Sequence, residues 1–204
     1  SAGSASGVLG NPLGYNRVYV HLEGKFSETA WWDGLAKGNC FVTNGPLLRV
    51  RANDRLPGAV FTSDGGEPLA LKLDVQLTTL DRLRKLEVIQ NGKVMQTILC
   101  NGDRNQAHSL TLTVNKSGWF LIRGIAENPK TFRFASTAPF YTELGQEKRR
   151  ISKSSSRFFL DWVNERIERV KANITDKSQQ EEVLRSHESA LKFWQERVRQ
   201  SNAD

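Results

Sequence analysis

The sequence predicts a mainly β protein with α: an immunoglobulin-like β-sandwich over residues 47–145, preceded by a short β-α-β stretch within 1–46 and followed by a helical hairpin in 146–204. Three observations predict it. Leu69, Leu71, Leu73, Val75 and Leu77 recur at strict period two, which puts all five on one face of a strand. Asn91-Gly92 separates two apolar runs and supplies the positive backbone angles that a type I′ hairpin turn needs. Past residue 157 the period changes to that of a helix, with Phe158, Phe159, Trp162, Val163, Ile167 and Val170 on one stripe.

The elements follow in chain order. Residues 1–16 are rich in Gly, Ser, Ala and Asn and read as irregular, and Arg17 to Leu22 alternates as a strand. Ser27 is placed to cap a helix through Trp31, Trp32 and Leu35, and Gly38 to end it. Cys40 to Thr43 reads as a strand that Asn44-Gly45-Pro46 turns. From Leu47 short runs alternate with turn signals, the rhythm of an all-β sandwich: Leu48–Ala52, Leu69–Leu77, Leu86–Ile89, Val94–Ile98, Leu110–Val114, Trp119–Ala126, Thr131–Ala135 and Phe140–Leu144. The run from Trp119 is apolar on both faces, as a central strand should be, which makes Trp119 and Phe120 core residues by expectation. His108 would open the strand that Leu110 begins to define. In the tail a break at Asn173–Lys177 separates the first helix from a second carrying Val183, Leu184, Leu191, Trp194 and Val198. Ser178 with Glu181 forms a capping box for it, and Glu165–Arg169, Glu181–Arg185 and Glu188–Lys192 are supporting pairs four apart.

The net charge of +7 raises the question of a nucleic-acid partner, and its distribution argues against one. Residues 1–145 hold 16 basic and 12 acidic side chains and residues 146–204 hold 13 and 10, so neither part is charge-segregated. The local cluster Lys148, Arg149, Arg150, Lys153 and Arg157 reads as a solvated linker ahead of a helix, with a phosphate or anionic-surface contact as the alternative. No run of apolar residues is long enough to span a membrane. The chain begins Ser1-Ala2-Gly3, which suggests a fragment or a processed product, so that a leader upstream stays open.

Candidate chemistry is sparse. His21, His108 and His187 have no second His, Cys or Asp at a ligand spacing, and neither Cys40 nor Cys100 has a partner at zinc spacing. Each cysteine ends an apolar run and reads as a small buried hydrophobe, with a disulfide between the two left open. No Gly-x-Ser-x-Gly elbow and no phosphate-cradling loop is present. The triplets Asn115-Lys-Ser117 and Asn173-Ile-Thr175 match a glycosylation acceptor, a frequent chance pattern. Among aromatics, one of Trp31 and Trp32 should face the core. Phe132, Phe134 and Tyr141, beside Phe140, form the candidate aromatic surface if the sandwich grips a carbohydrate; core and inter-domain packing is the other use open to them. A row of exposed rings would support that use; finding Trp119, Phe132, Phe134 and Tyr141 all buried would oppose it.

Three stretches carry a resemblance: Gly10-Asn-Pro-Leu-Gly-Tyr-Asn-Arg-Val-Tyr-Val20, Ala30-Trp-Trp-Asp-Gly-Leu-Ala-Lys-Gly38 and Phe41-Val-Thr-Asn-Gly-Pro-Leu-Leu48. Together they resemble the C-terminal end of the CehA/McbA family, metal-dependent hydrolases of the PHP superfamily. Asn128–Ser136 and Phe159–Arg166 are similar to tail segments of bacterial relatives. The resemblance implies that 1–46 is the last β-α-β piece of a PHP-type barrel, that the sandwich is the continuation such proteins often carry, and that the partner is an upstream hydrolase-like domain. It also implies that the family's metal-ligating His and Asp residues lie mostly upstream of this region. Where the family's late Ser-Asp-x-His-like motif would fall, this chain reads Gly3-Ser-Ala-Ser-Gly7, with Ala5 in place of the Asp and Gly7 in place of the His. Neither can bind a metal, so either the full-length protein is a degenerate relative that has lost metal chemistry or its ligands lie elsewhere; on both, neither catalytic residues nor a cofactor is expected in this chain.

The expectation is thus a non-catalytic C-terminal region, with a surviving rim at Asn11, Tyr15, Arg17 and Asn44, because loops at strand ends carry function. Turn chemistry and packing account for those four residues equally well. Two rivals stand beside it: a part that completes the pocket of an active metal-dependent hydrolase, and a sandwich that binds carbohydrate or a cell-surface polymer. Self-association through the terminal helices is a further expectation.

Overall fold

The computed structural model describes residues 14–146 and 150–203, which divide into two compact units at residues 148 and 149. In the first unit the order is β1 (Arg17–Val20), α1 (Glu28–Ala36), β2 (Cys40–Thr43), β3 (Leu47–Ala52), β4 (Val60–Ser63), β5 (Leu69–Thr78), β6 (Lys85–Gln90), β7 (Lys93–Leu99), β8 (Asn105–Val114), β9 (Gly118–Ala126), β10 (Arg133–Thr137) and β11 (Phe140–Leu144). The second unit holds α2 (Lys153–Asn173) and α3 (Lys177–Arg199). The protein is mainly β, with two sheets and two C-terminal helices.

The smaller sheet is β3-β5-β8, antiparallel throughout. Period-two patterning puts Leu71, Leu73, Val75 and Leu77 of β5 inside and Lys72, Asp74 and Gln76 outside. The larger sheet centres on β9. One of its edges pairs with β6 and the other with β10 and then β11, while β7 joins β6, β4 joins β11 in parallel, and β2 carries β1 onto β10. The inward residues of both sheets merge in one apolar core, in which Leu48, Leu73 and Val75 meet Leu86, Phe120, Ile122 and Phe140. Phe120 and Phe140 stack there with centroids 5.0 Å apart.

Local chemistry explains the turns. Asn91 and Gly92 take φ of 49° and 85°, the left-handed pair that closes a two-residue hairpin. Ser27 accepts from the Ala30 N–H at 3.2 Å, and α1 stops with Gly38 at φ 77°. Gly58 is fixed by proximity: at φ 90°, a Cβ there would lie 1.8 Å from the Lys37 carbonyl oxygen.

Several sequence expectations need correction. β1 and β2 run antiparallel, and β2 is bonded to β10, so the opening stretch extends the larger sheet. The four-residue β4 has no counterpart in the sequence reading; only Phe61 of it is buried, too little to make a period visible. β8 begins at Asn105, so His108 sits within the strand; the polar run 105–109 is held by its ten-residue register with β5. Trp119 is half-buried on the outward face of β9, because Phe120 and Ile122 take the core side. Phe140 is core, which removes it from any platform.

In the second unit Ser152 caps α2 by accepting from Ser155 N–H, and Asp176 caps α3 by accepting from Gln179 N–H at 2.8 Å. Asp176 therefore displaces the expected Ser178 box: both residue types cap, and the helix starts at the earlier one. Lys153 N–H donates to Ala203 O at 2.6 Å and Ile151 N–H to Asn202 Oδ1 at 2.9 Å, which ties the start of α2 to the end of α3 and makes the pair antiparallel. Phe159 stacks on Trp194 across the hairpin at 4.6 Å. Leu160, Ile167 and Val170 are the buried stripe, whereas Phe158 and Trp162 lie exposed on its flank. Of the three expected ion pairs, Glu165–Arg169 is the one formed among the described residues, at 2.5 Å. No helix among them is long and apolar enough to cross a membrane.

Candidate functional site

Three regions of the first unit gather chemistry-bearing side chains. The first is the expected rim. Asn11 lies outside the described residues. Asn44 is 5% exposed and behaves as an extra rung between β2 and β10: Oδ1 accepts from Phe134 N–H at 2.8 Å, and Nδ2 donates to Phe132 O at 2.9 Å. Its own N–H donates to Phe134 O at 3.2 Å. Thr43, also buried, accepts from Gly45 N–H at 2.9 Å and sits 2.9 Å from Phe134 O. Arg133 donates to Asn44 O, and its guanidinium lies 5.1 Å over the Tyr15 ring, whose hydroxyl bonds Thr131 Oγ1. Tyr15 and Asn44 are thus brought together through Arg133, a residue that no motif or spacing singles out. Arg17 turns elsewhere, donating to Gly14 O and, at 3.3 Å, to Tyr19 OH. Every polar side-chain atom of Asn44 is spent on backbone.

The second region is the outward face of the larger sheet. Tyr141, 42% exposed, stands opposite Trp119 in register, with Val60 of β4 beyond it. Towards the other end of β9, exposed Ile125 stands opposite Phe134, which stacks on Phe132 at 5.5 Å; Phe132 is 62% exposed. Between these apolar groups Arg123 donates to Glu87 at 2.7 Å, with Lys85 3.0 Å from the other carboxylate oxygen. The Arg123 and Lys85 hydrogen bonds hold the Glu87 carboxyl below the usual carboxylate range. Trp119 and Ile125 are six residues apart on one strand, a span of roughly 20 Å. The sequence placed three of these rings; it assigned Trp119 to the core.

The third region is a cleft of about 470 Å³ whose walls include Tyr19, His21, Phe41, Arg49, Arg51, Leu56 and Pro57. Tyr19 and Phe41 stack with centroids 5.1 Å apart and planes within 6°. Arg51 donates to Asp54 O at 2.7 Å. Asp74, also on the wall, is 3.0 Å from Lys72, whose hydrogen bond holds the Asp74 carboxyl below its ordinary value. Cys40 borders the cleft, a free thiol that burial pushes up in pKa; Cys100 is likewise free and likewise raised. The sequence did not flag this cleft. Its sole local hint is the alternation of arginine with apolar residues in Leu48-Arg49-Val50-Arg51.

No group of three or more His, Cys, Asp or Glu arranged to hold a metal ion occurs among the described residues. No family model matches this chain, and neither a curated protein nor a solved structure matches it.

Proposed function

We propose that this chain is a non-catalytic accessory region of a metallohydrolase-like protein, whose work is to join, cover and stabilise the end of an upstream domain. The observation that carries the reading is the use made of Thr43 and Asn44. These belong to the Val-Thr-Asn-Gly-Pro stretch that resembles the CehA/McbA family, and both are buried with their polar atoms engaged by backbone. A side chain committed to two buried backbone bonds is not available to a substrate, whereas it is well suited to splice one strand pair onto a sheet. The two sheets around a single core support the immunoglobulin-like assignment of 47–145. On this reading 1–46 is the last piece of the family's PHP-type barrel, and of it Arg17–Val20 and Cys40–Thr43 join the larger sheet. The test is assembly: the upstream domain and this chain, produced separately and mixed, should elute together as a 1:1 complex. Independent elution at micromolar concentration would overturn the reading.

A second reading has its own observation. Trp119 paired with Tyr141, and Phe132 stacked on Phe134, put aromatic faces along one outward sheet surface. Flat rings spaced along a strand suit an extended polysaccharide, since aromatic faces pack on sugar rings. Retention on insoluble polysaccharides, lost in Tyr141→Ala and Phe132→Ala, would favour it; no retention would end it.

A further inference from the structure

We propose that the cleft beside β3 receives an extended acidic peptide segment, added to the smaller sheet as a fourth strand. β3 is an edge strand: among the described residues it pairs with β5 alone, and β8 closes the other side. The direction of its backbone groups follows from one bridge. Ala52 N–H donates to Arg55 O and Arg55 N–H to Ala52 O, both at 2.9 Å, so the polar groups of Ala52 point away from β5. In an antiparallel ladder this direction alternates residue by residue. Leu48 and Val50 share the parity of Ala52, and so send N–H and C=O into the cleft that they line. Donors and acceptors in that order are matched by another extended backbone.

The edge is short and bounded. Arg55 already occupies its Ala52 end, and Pro57, which follows on the cleft wall, lacks the N–H needed to continue that pairing. Leu47 to Arg51 is left, roughly 17 Å of strand. Native proteins blunt such edges with charge, and here the charge also selects. Arg49 and Arg51 project on the outward side of β3; among the described residues Arg49 has no partner, and the one acid on the cleft wall, Asp74, is paired with Lys72. On the inward side the stacked Tyr19 and Phe41, with Leu56, offer an apolar wall. An added strand turns alternate side chains to these two sides. The occupant is therefore a peptide in which acidic and apolar residues alternate.

The test begins with a displayed library of random heptapeptides selected against the intact chain, followed by synthesis of the strongest binder. Selected sequences should alternate Asp or Glu with apolar residues. Replacing both exposed arginines (Arg49→Gln with Arg51→Gln) should weaken binding roughly three- to thirtyfold, with the far-ultraviolet spectrum of the chain unchanged. N-methylation of the peptide should abolish binding at every second amide and be tolerated at those between, because only one parity faces β3. Failure to select any binder, affinity indifferent to both arginines, or N-methyl effects without parity would each overturn the proposal. So would a binder lost in Tyr141→Ala, since it would sit on the outward face of the other sheet.

Discussion

Replacing Asn44 by Ala removes two side-chain bonds at a site 5% exposed, and leaves the Phe134 N–H and the Phe132 carbonyl without their partners. Each such loss costs about 1–2 kcal/mol when the orphaned group is screened from water; Phe132 is 62% exposed and its carbonyl costs less, so the pair amounts to about 1–3 kcal/mol. The backbone bond from Asn44 N–H to Phe134 O is untouched, which keeps the loss from being larger. Urea unfolding read by tryptophan fluorescence measures it, provided the signal is confined to the first unit, because two units need not unfold as one transition. Trp162→Phe with Trp194→Phe leaves Trp31, Trp32 and Trp119 as reporters. A loss below about 0.5 kcal/mol, the scale of an ordinary surface substitution, would refute the account of Asn44 as the rung that joins β2 to β10.

Three further outcomes are expected. Gly58→Ala should be severe, at least about 3 kcal/mol or loss of folding, since the new methyl would overlap the Lys37 carbonyl oxygen in a left-handed backbone; a soluble variant of unchanged midpoint would contradict it. Gln90 is buried with Nε2 unpartnered among the described residues, so Gln90→Met should be neutral or stabilising by up to about 1 kcal/mol in the same urea assay. Glu87 has a depressed carboxyl in the folded state, so its contribution is present above the ordinary carboxylate value of about 4.3 and is lost as pH falls through the lower folded value. The gap in unfolding midpoint between wild type and Glu87→Gln should therefore close on acidification from pH 6 to pH 3, and a gap independent of pH would count against the Arg123–Glu87 pair.

The sequence was most informative where structure is local. Asn91-Gly92 and the leucine alternation of β5 each act within a few residues, and both read correctly. What it could not supply is contact made across long separations. Asn44 looks like turn chemistry until Phe134, 90 positions later, arrives as its partner. Tyr19, Arg49 and Pro57 share a cleft because strands from different sheets converge there, and no spacing in the chain records that. The buried face of α2 is narrower than the periodicity predicts for a related reason: the spacing places Phe158 and Trp162 near that face, but Leu160 on the neighbouring line takes the burial. Competition explains the α3 cap, where Asp176 and Ser178 are both capable residues and only geometry chooses.

We propose that the metal chemistry expected of a metallohydrolase-like protein resides in the domain upstream of this chain. The most direct measurement is elemental analysis of the full-length parent and of this chain side by side, each purified without chelators and then reconstituted with zinc, manganese or iron. The chain alone should retain no stoichiometric metal and catalyse no chelator-sensitive hydrolysis, whatever the full-length protein carries. Near-stoichiometric metal held by the chain itself, with hydrolysis abolished on its removal, would contradict it.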